Sequence, residues 1–210
     1  MEPMNRHTTF RVGGEAQCYV RISSDVQLRA IIPYLKQVES PFFILGNGSN
    51  LLVDKGYEGV ILQIGDRMNS IRIEGKRVFA QAGALLSQIA RKAMEAELTG
   101  FEFASGIPGT IGGAMVMNAG AYGGEMAQVV ECVRVMDENG EILELSGEDM
   151  EFGYRTSVIK NRPFTVLEAV LVLKNGEKAC ILQKMDELSR QRREKQPLEF
   201  PSAGSTFKRP

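Results

Sequence analysis

The sequence is poor in the residues that metal sites and nucleophilic sites need. It contains one histidine, His7, and three cysteines, Cys18, Cys132 and Cys180, which lie far apart without the spacing of metal ligands. A zinc hydrolase would need a second histidine, and a histidine-dependent triad would have to use His7. We therefore predict no metal site, and we interpret the odd set of cysteines as reduced thiols of a cytosolic protein.

An excess of one charge and long apolar runs are also absent. The 25 basic and 26 acidic residues give a net charge of −1 and are mixed along the chain, which argues against a nucleic-acid-binding surface. No apolar run approaches the ~20 residues of a membrane span, and residues 1–6 are too polar for a signal peptide. The chain is therefore expected to be cytoplasmic, without nucleic-acid or membrane partners.

The first half of the chain reads as strands alternating with helices. Apolar spacing predicts a helix that begins after Ser23 or Ser24, either of which can cap it, and runs to residue 36. Glu74 and Gly75 are typical of a hairpin turn, and Gly100 is typical of a residue that follows the end of a helix. The predicted strands are residues 16–22, 42–45, 60–64, 70–74 and 77–82, and a second helix is predicted over residues 85–98. This order predicts a layered α/β architecture.

The second half reads as a hairpin, a strand and a charged helix. Asn139 and Gly140 predict a turn between strands over residues 129–136 and 141–145, and residues 165–173 predict a further strand. A helix is predicted over residues 178–195. Its basic residues are interpreted as a solvated face, namely Arg190, Arg192, Arg193 and Lys195.

A glycine loop follows the predicted buried strand at residues 42–45. It consists of Gly46, Asn47, Gly48, Ser49, Asn50 and Leu51. Small residues let successive main-chain N–H groups approach an anion, so the loop predicts a cradle for a diphosphate. It lacks the last glycine of a Gly-x-Gly-x-x-Gly fingerprint and the Gly-Lys-Ser/Thr of a Walker loop. A plain turn is the alternative interpretation.

A second glycine-rich segment occupies residues 105–124. Glycine costs about 1 kcal/mol relative to alanine inside a helix, so the composition predicts a poor helix. Close approach to a flat or phosphorylated ligand is one reason for such a composition. Tight packing of a glycine-rich helix on a sheet is the other.

Two further segments carry reactive groups. Tyr154 and Arg155 stand side by side just before a predicted strand, and an arginine can bind a carboxylate through two parallel hydrogen bonds. A surface salt bridge is the alternative for Arg155. Near the end, Ser205 lies in a loop of small residues and could deliver a proton, bind phosphate or cap a helix.

Taken in order, these segments resemble the UDP-N-acetylenolpyruvoylglucosamine reductase family. Residues 5–14 look like the family's opening motif, and residues 46–52 are similar to its flavin diphosphate loop. Residues 106–123 resemble the stretch that packs against the flavin ring and its phosphates. Residues 152–155 and 203–208 look like the two catalytic motifs. The match extends over nearly all of the chain.

The resemblance implies an α+β, layered FAD-binding fold of two subdomains. This fold is of the vanillyl-alcohol-oxidase-like type and is not a Rossmann fold. Residues 1–66 and 67–178 would form the two FAD-binding subdomains. Residues 179–210 would form a helix and a catalytic-serine loop that lead into a substrate domain.

The resemblance also implies a reaction and its participants. NADPH reduces FAD, hydride passes from flavin N5 to C3 of the enolpyruvyl ether, and protonation at C2 gives UDP-N-acetylmuramate for peptidoglycan. Arg155 would stabilise the charge that develops on C2 and its carboxylate, and Ser205 would supply the proton. Tyr154, Lys195 and Lys208 would contact a nucleotide-sugar substrate, and the protein would act as a monomer.

The implied FAD contacts lie in four parts of the sequence. They are Gly46, Asn47, Gly48, Ser49, Asn50 and Leu51 in the first loop, Gly83, Gly106, Pro108, Gly109, Gly112 and Gly113, and finally Asn118, Ala119, Gly120 and Tyr122.

Family members continue beyond this position into a third domain that contributes a catalytic glutamate, so we expect the chain to be a fragment. A non-catalytic FAD-binding protein and a flavin oxidase of another small alcohol or sugar are the alternatives.

Overall fold

The computed structural model describes residues 1–196, 200 and 201. Within them the strands are β1 (Glu2–Pro3), β2 (Glu15–Ile22), β3 (Phe42–Leu45), β4 (Tyr57–Ile64), β5 (Ile71–Glu74), β6 (Arg77–Gln81), β7 (Leu98–Thr99), β8 (Gly120–Ala121), β9 (Gly124–Glu125), β10 (Val130–Met136), β11 (Ile142–Ser146), β12 (Thr165–Val172) and β13 (Lys174–Asn175). The α-helices are α1 (Asp25–Gln37), α2 (Leu86–Glu95), α3 (Ile111–Met117), α4 (Val158–Asn161) and α5 (Lys178–Lys195).

The first sheet has the order β1-β2-β4-β3. Strands β2 and β3 both run parallel to β4, and β1 runs antiparallel to β2. Helix α1 connects β2 to β3, and it begins where predicted because the Ser24 side chain accepts a hydrogen bond from Gln27 N at 3.2 Å. Its buried residues, Leu28, Ile32 and Leu35, fall on one helical face.

The second sheet is antiparallel, with the order β11-β10-β12-β6-β5. Both predicted hairpin turns form in it, and a glycine with positive φ lies in each, at Gly75 (φ 58°) and Gly140 (φ 85°). One large apolar cluster extends across the two sheets. Ile22 and Leu62 of the first sheet share it with Val78, Val133 and Leu171 of the second.

Most of the predicted elements are confirmed, but the second helix is shorter than expected. It ends at Glu95, three residues before the predicted end, because Glu97 adopts a left-handed conformation with φ 57°. The next residues, Leu98–Thr99, leave the helix to pair with Lys174–Asn175. In the part of the chain that the structure describes, no helix combines the length and the apolar character that a membrane crossing requires.

The expectation of a poor helix in the glycine-rich segment is wrong for residues 111–117, which form α3. The Thr110 side chain caps this helix by accepting a hydrogen bond from Gly113 N at 3.4 Å. At Gly112 an added Cβ would lie 3.0 Å from both Cβ and O of Ala82 at the end of β6. Contact with the sheet therefore overrides the low helix propensity of glycine.

The strand predicted after Arg155 begins at Thr165, as expected, but a short helix that was not predicted comes before it. This helix is α4, which begins at Val158, and the strand is β12. The Ser157 side chain donates to Val116 O at 3.1 Å instead of capping α4. This hydrogen bond joins the start of α4 to α3.

The first glycine loop packs on the N-terminal segment of the chain. Gly48 adopts φ 66°, and a Cβ at this position would overlap the carbonyl oxygen of His7. Thr9 N donates to Gly48 O at 3.1 Å. Glycine is therefore required at position 48 by the main-chain contact as well as by φ.

We predict that Gly48→Ala destabilises the protein far more than Gly75→Ala. Gly75 also has positive φ (58°), but nothing lies within 4 Å of its added Cβ. Gly75→Ala should lower the free energy of unfolding by about 1 kcal/mol through backbone strain alone. Gly48→Ala adds a steric overlap and should cost about 2 to 4 kcal/mol. Urea unfolding of both variants measures the difference, and equal losses would contradict the packing at Gly48.

Candidate functional site

The two glycine-rich segments meet at the seam between the sheets. The Ser49 side chain donates to Pro108 O at 2.9 Å, although the two residues are 59 positions apart. A Cβ added to Gly46 would lie 2.6 Å from Thr110 Oγ1, and one added to Gly109 would lie 3.3 Å from Ser49 Oγ. The structure therefore brings together the loops that the sequence singled out separately.

A cavity of about 80 Å³ lies beside this contact. The ends of β3 and β4, the start of α3, helix α4 and the start of β12 surround it. Most of its lining is apolar, and the lining residues are Ile44, Leu45, Gly46, Ile64, Ala82, Thr110, Gly112, Gly113, Val116, Ile159, Phe164, Thr165 and Val166. The cavity thus offers apolar walls next to a glycine loop, as expected for a ligand with a flat apolar part and a charged part.

The main chain around the cavity is suited to an anion. The hydrogen bonds among the described residues leave the N–H groups of Asn47, Gly48 and Ser49 without an acceptor. Gly113 is exposed, and only Thr110 Oγ1, at 3.7 Å, lies near its added Cβ. Free N–H groups and bare main chain are what a diphosphate needs for close approach, so these residues fit a dinucleotide cofactor.

Other glycines in the predicted set have a structural reason for their identity. A Cβ at Gly83 would overlap the carbonyl oxygen of Gly65 in the connection between the sheets, and Gly83 N donates to Met68 O at 2.8 Å. Gly112 is likewise held against Ala82. Leu51 is half-buried and packs on a small apolar cluster beneath the first loop.

A tight hairpin follows α3. Strands β8 and β9 pair through Gly120 and Glu125, and the two turn residues have positive φ, at Tyr122 (53°) and Gly123 (84°). Ala119 is half-buried before the hairpin, and its carbonyl accepts from Met126 N at 3.1 Å. Positive φ in a tyrosine is uncommon, and the Tyr122 side chain is 44% exposed. The hairpin therefore presents an aromatic ring to solvent.

Arg155 lies against the base of this hairpin. Its Nη2 donates to Gly120 O at 3.1 Å, and its Cζ lies 5.6 Å from the ring centroid of Tyr154. Among the described residues its guanidinium has a carbonyl partner and no carboxylate partner. The surface salt bridge considered from the sequence is therefore wrong within the described residues.

Helix α5 is tied to the second glycine segment. Arg192 donates to Gly106 O, whereas Arg190 pairs with Glu194 and Arg193 donates to Ser189 within the helix. The prediction that the basic residues of this helix form only a solvated face is therefore wrong for Arg192. Lys195 is exposed one turn beyond Arg192. Ser205 and Lys208 lie outside the described residues.

His7 has structural partners. Its Nε2 and Glu2 Oε1 form a hydrogen bond at 2.7 Å, which lowers the pKa of the Glu2 carboxyl, and its ring stacks on Tyr19 with centroids 4.0 Å apart. Burial raises the pKa of Tyr19 to about 12. These contacts fix the N-terminal segment that supports Gly48.

Sequence reasoning missed three residues that build the site. They are Thr110, which is 3% exposed and lines the cavity, Ser157, which joins α4 to α3, and Arg192, which holds Gly106. Thr110 could have been predicted from the sequence, because a threonine before an apolar run is typical of a helix cap. The partners of the other two lie 41 and 86 positions away, and no local pattern indicates them.

Comparison with known proteins shows the family to which this chain belongs. A profile described as "FAD binding domain" matches residues 16–146. The UDP-N-acetylenolpyruvoylglucosamine reductase of Caldanaerobacter subterraneus subsp. tengcongensis is 55% identical over all 210 residues, which cover 69% of its length. The enzyme of that name from Clostridioides difficile is 51% identical over the same span, with the same coverage. The chain belongs to the UDP-N-acetylenolpyruvoylglucosamine reductase family.

Solved structures agree with this membership. The reductase of this family from Thermus caldophilus is 34% identical with a TM-score of 0.85, over 99% of this chain and 73% of that one. The 6-hydroxy-D-nicotine oxidase of Arthrobacter nicotinovorans, 17% identical with a TM-score of 0.57, covers 75% of this chain and 36% of its own and shows the fold alone. The predicted family, the FAD-binding fold and the FAD cofactor are confirmed.

We predict that Gly113→Ala weakens FAD binding without lowering the stability of the flavin-free protein. Alanine at this exposed helical position should leave the flavin-free protein as stable or up to about 1 kcal/mol more stable. The added methyl group would occupy the bare main-chain surface at the cavity and should weaken FAD binding about 10-fold. Thermal unfolding without flavin and a fluorescence titration with FAD measure the two effects.

Gly112→Ala serves as the matched control. Its Cβ would press on Ala82, so it should destabilise the flavin-free protein by about 1 to 3 kcal/mol. An unchanged FAD affinity in Gly113→Ala would contradict the proposal that α3 contacts FAD.

Proposed function

We propose that this chain is an FAD-dependent reductase that uses NADPH to convert UDP-N-acetylglucosamine enolpyruvate to UDP-N-acetylmuramate. The observation that carries this proposal is the 55% identity, along the whole chain, with a protein named for the reduction of UDP-N-acetylenolpyruvoylglucosamine. The glycine loop beside the cavity and the contact of Arg155 with the second glycine-rich segment support the proposal.

The residues that would hold FAD lie on both sides of the seam. The free N–H groups of Asn47, Gly48 and Ser49 would bind the diphosphate, and the bare main chain at Gly113 would allow its close approach. When bound, FAD supplies a two-electron carrier between NADPH and the substrate. Its contacts with Asn50, Leu51, Gly106, Pro108 and Gly109, and with Ala119, Gly120 and Tyr122, are proposed by similarity to the family.

Arg155 would bind the carboxylate of the enolpyruvyl group. Reduction at C3 places negative charge on C2 and on this carboxylate, so a fixed cation there stabilises the transition state more than the ground state. The hydrogen bond from Nη2 to Gly120 O fixes one edge of the guanidinium. The other N–H groups remain available for two parallel bonds to a carboxylate.

The remaining roles follow the family pattern. Ser205 would donate the proton to C2, and a serine hydroxyl needs activating neighbours for this because it is a weak acid. Tyr154, Lys195 and Lys208 would bind the nucleotide sugar. We further propose that the protein is monomeric and cytoplasmic, in keeping with the three free thiols at Cys18, Cys132 and Cys180.

A two-stage experiment tests the proposal. The purified protein is titrated with FAD, and the yellow complex is then reduced with NADPH and mixed with the enolpyruvyl substrate under anaerobic conditions. Flavin reoxidation with formation of UDP-N-acetylmuramate is expected. FAD binding without reoxidation would favour a non-catalytic flavoprotein. In a separate aerobic assay with an alcohol as reductant, rapid reoxidation by oxygen would favour an oxidase. Absence of a yellow complex would exclude all three.

We predict that Arg155→Ala acts on one half-reaction only. Reoxidation of reduced flavin by the enolpyruvyl substrate should slow about 100-fold, because charge stabilisation at the carboxylate is lost. Reduction by NADPH should change less than about 3-fold. Stopped-flow absorbance of the flavin measures both steps.

Arg72→Ala is the matched control. Arg72 is an exposed arginine of β5 that pairs with Glu74 and lies 4.0 Å from the Phe79 ring centroid, away from the cavity. Both half-reactions should be unchanged in this variant. Equal slowing of the two half-reactions in Arg155→Ala would contradict the assigned role.

A further inference from the structure

Asn118 occupies an unusual position at the end of α3. It is the C-terminal cap of the helix, with a left-handed conformation at φ 40°, and it is only 2% exposed. Asparagine is among the few residues other than glycine that adopt this conformation readily. A glycine would suffice for the backbone, so the side chain needs a separate explanation.

The Asn118 side chain is hydrogen-bonded to the protein through both ends of its amide. Nδ2 donates to Gly153 O at 3.1 Å, and Oδ1 accepts from Ala127 N at 3.0 Å. The amide thus connects the helix end with the turn at 153–156 and with the segment after the β8–β9 hairpin. Because the residue is buried, these contacts account for the amide without a direct contact to a ligand.

The turn that accepts this hydrogen bond carries Tyr154 and Arg155 at its tip. Gly153 N donates to Thr156 O at 3.1 Å, and Thr156 N donates to Gly153 O at 3.3 Å. Tyr154 and Arg155 are the two residues between these bonded ends, so the pair determines where their main chain lies. A shift of Gly153 would therefore displace the guanidinium of Arg155.

Two further hydrogen bonds join the same two segments. Ser157 Oγ donates to Val116 O at 3.1 Å, and Arg155 Nη2 donates to Gly120 O at 3.1 Å. Residues 153, 155 and 157 are thus bonded to residues 118, 120 and 116. Of these three hydrogen bonds, only the one from Asn118 is made by a side chain of the glycine-rich segment, and that side chain is buried.

We propose that Asn118 is a positioning residue that sets Arg155 relative to the flavin segment, rather than a residue that contacts FAD. The inference rests on the proposed function, because it is there that Arg155 receives its role. A misplacement of about 1 Å in a group that stabilises a transition state can cost up to 100-fold in rate. The amide of Asn118 supplies the constraint that prevents such a displacement.

Asn118→Gly tests the inference, because glycine keeps the left-handed backbone and removes only the amide. In the flavin-loaded protein, reoxidation by the enolpyruvyl substrate should slow about 10-fold. Reduction by NADPH and the dissociation constant for FAD should change less than about 3-fold. A direct contact of Asn118 with FAD would instead weaken FAD binding, and that result would overturn the inference.

A double-mutant cycle with Arg155→Ala separates positioning from a general structural effect. If Asn118 acts through Arg155, Asn118→Gly should slow reoxidation by less than about 2-fold when Arg155 is already alanine. An undiminished 10-fold effect in that background would overturn the proposal. Asn139→Gly, in the exposed turn between β10 and β11, is the matched control and should change neither half-reaction.

Ser157→Ala provides a second route if Asn118→Gly folds poorly. It removes the bond to Val116 O and should slow reoxidation in the same direction by about 2- to 5-fold, again only when Arg155 is present. No slowing would overturn the inference. Failure of the unsubstituted holoprotein to react with the enolpyruvyl substrate would instead overturn the proposed function, and the inference with it.

Discussion

The close approach of main chain to side chain at the seam between the sheets is the constraint on which the site depends. Gly46, at the end of β3, leaves room for Thr110 at the start of α3, and any Cβ there would lie 2.6 Å from the hydroxyl oxygen. The bond from Ser49 to Pro108 fixes the same two loops at 2.9 Å. With a larger residue at position 46, either the first loop or Thr110 would have to move, and the contact between the first loop and the start of α3 would change. Gly46 and Thr110 both line the cavity, so the proposed diphosphate contacts depend on this arrangement.

Glycine is abundant here for two different reasons. Gly48, Gly83 and Gly112 each press against other parts of the protein, so their identity is explained by packing whether or not a ligand binds. A Cβ at Gly123 would have no neighbour within 4 Å, and one at Gly113 would be in ordinary contact with Thr110 Oγ1 at 3.7 Å. Among the described residues, packing therefore does not require glycine at either position. Only the second group bears on ligand binding directly. At Gly123 the φ of 84° is a further requirement, which leaves Gly113 as the more informative position.

Much of the fold could be predicted because its signals are local. The cap at Ser24, the glycine turns at 75 and 140 and the apolar strand at 42–45 each depend on a few neighbouring residues. Helix α3 could not be predicted, because contact with Ala82 outweighs the propensity of its glycines. The partner of Arg155 could not be predicted either, because Gly120 lies 35 positions away and accepts through its carbonyl. The sequence thus indicated which residues are chemically capable, and the tertiary contacts determine how they are oriented.

Arg155 is exposed, and this limits what its charge can do in the described protein. A guanidinium in water interacts weakly with a carboxylate, since solvent screens the pair and ordering the side chains costs entropy. The bond to Gly120 O removes part of that entropic cost before any substrate arrives, because one edge of the guanidinium is already held. The remaining requirement is exclusion of water, which a bound flavin ring and nucleotide sugar would provide on the open side. Orientation from the turn at 153–156 and desolvation by the ligands therefore contribute separately, and charge stabilisation at C2 needs both.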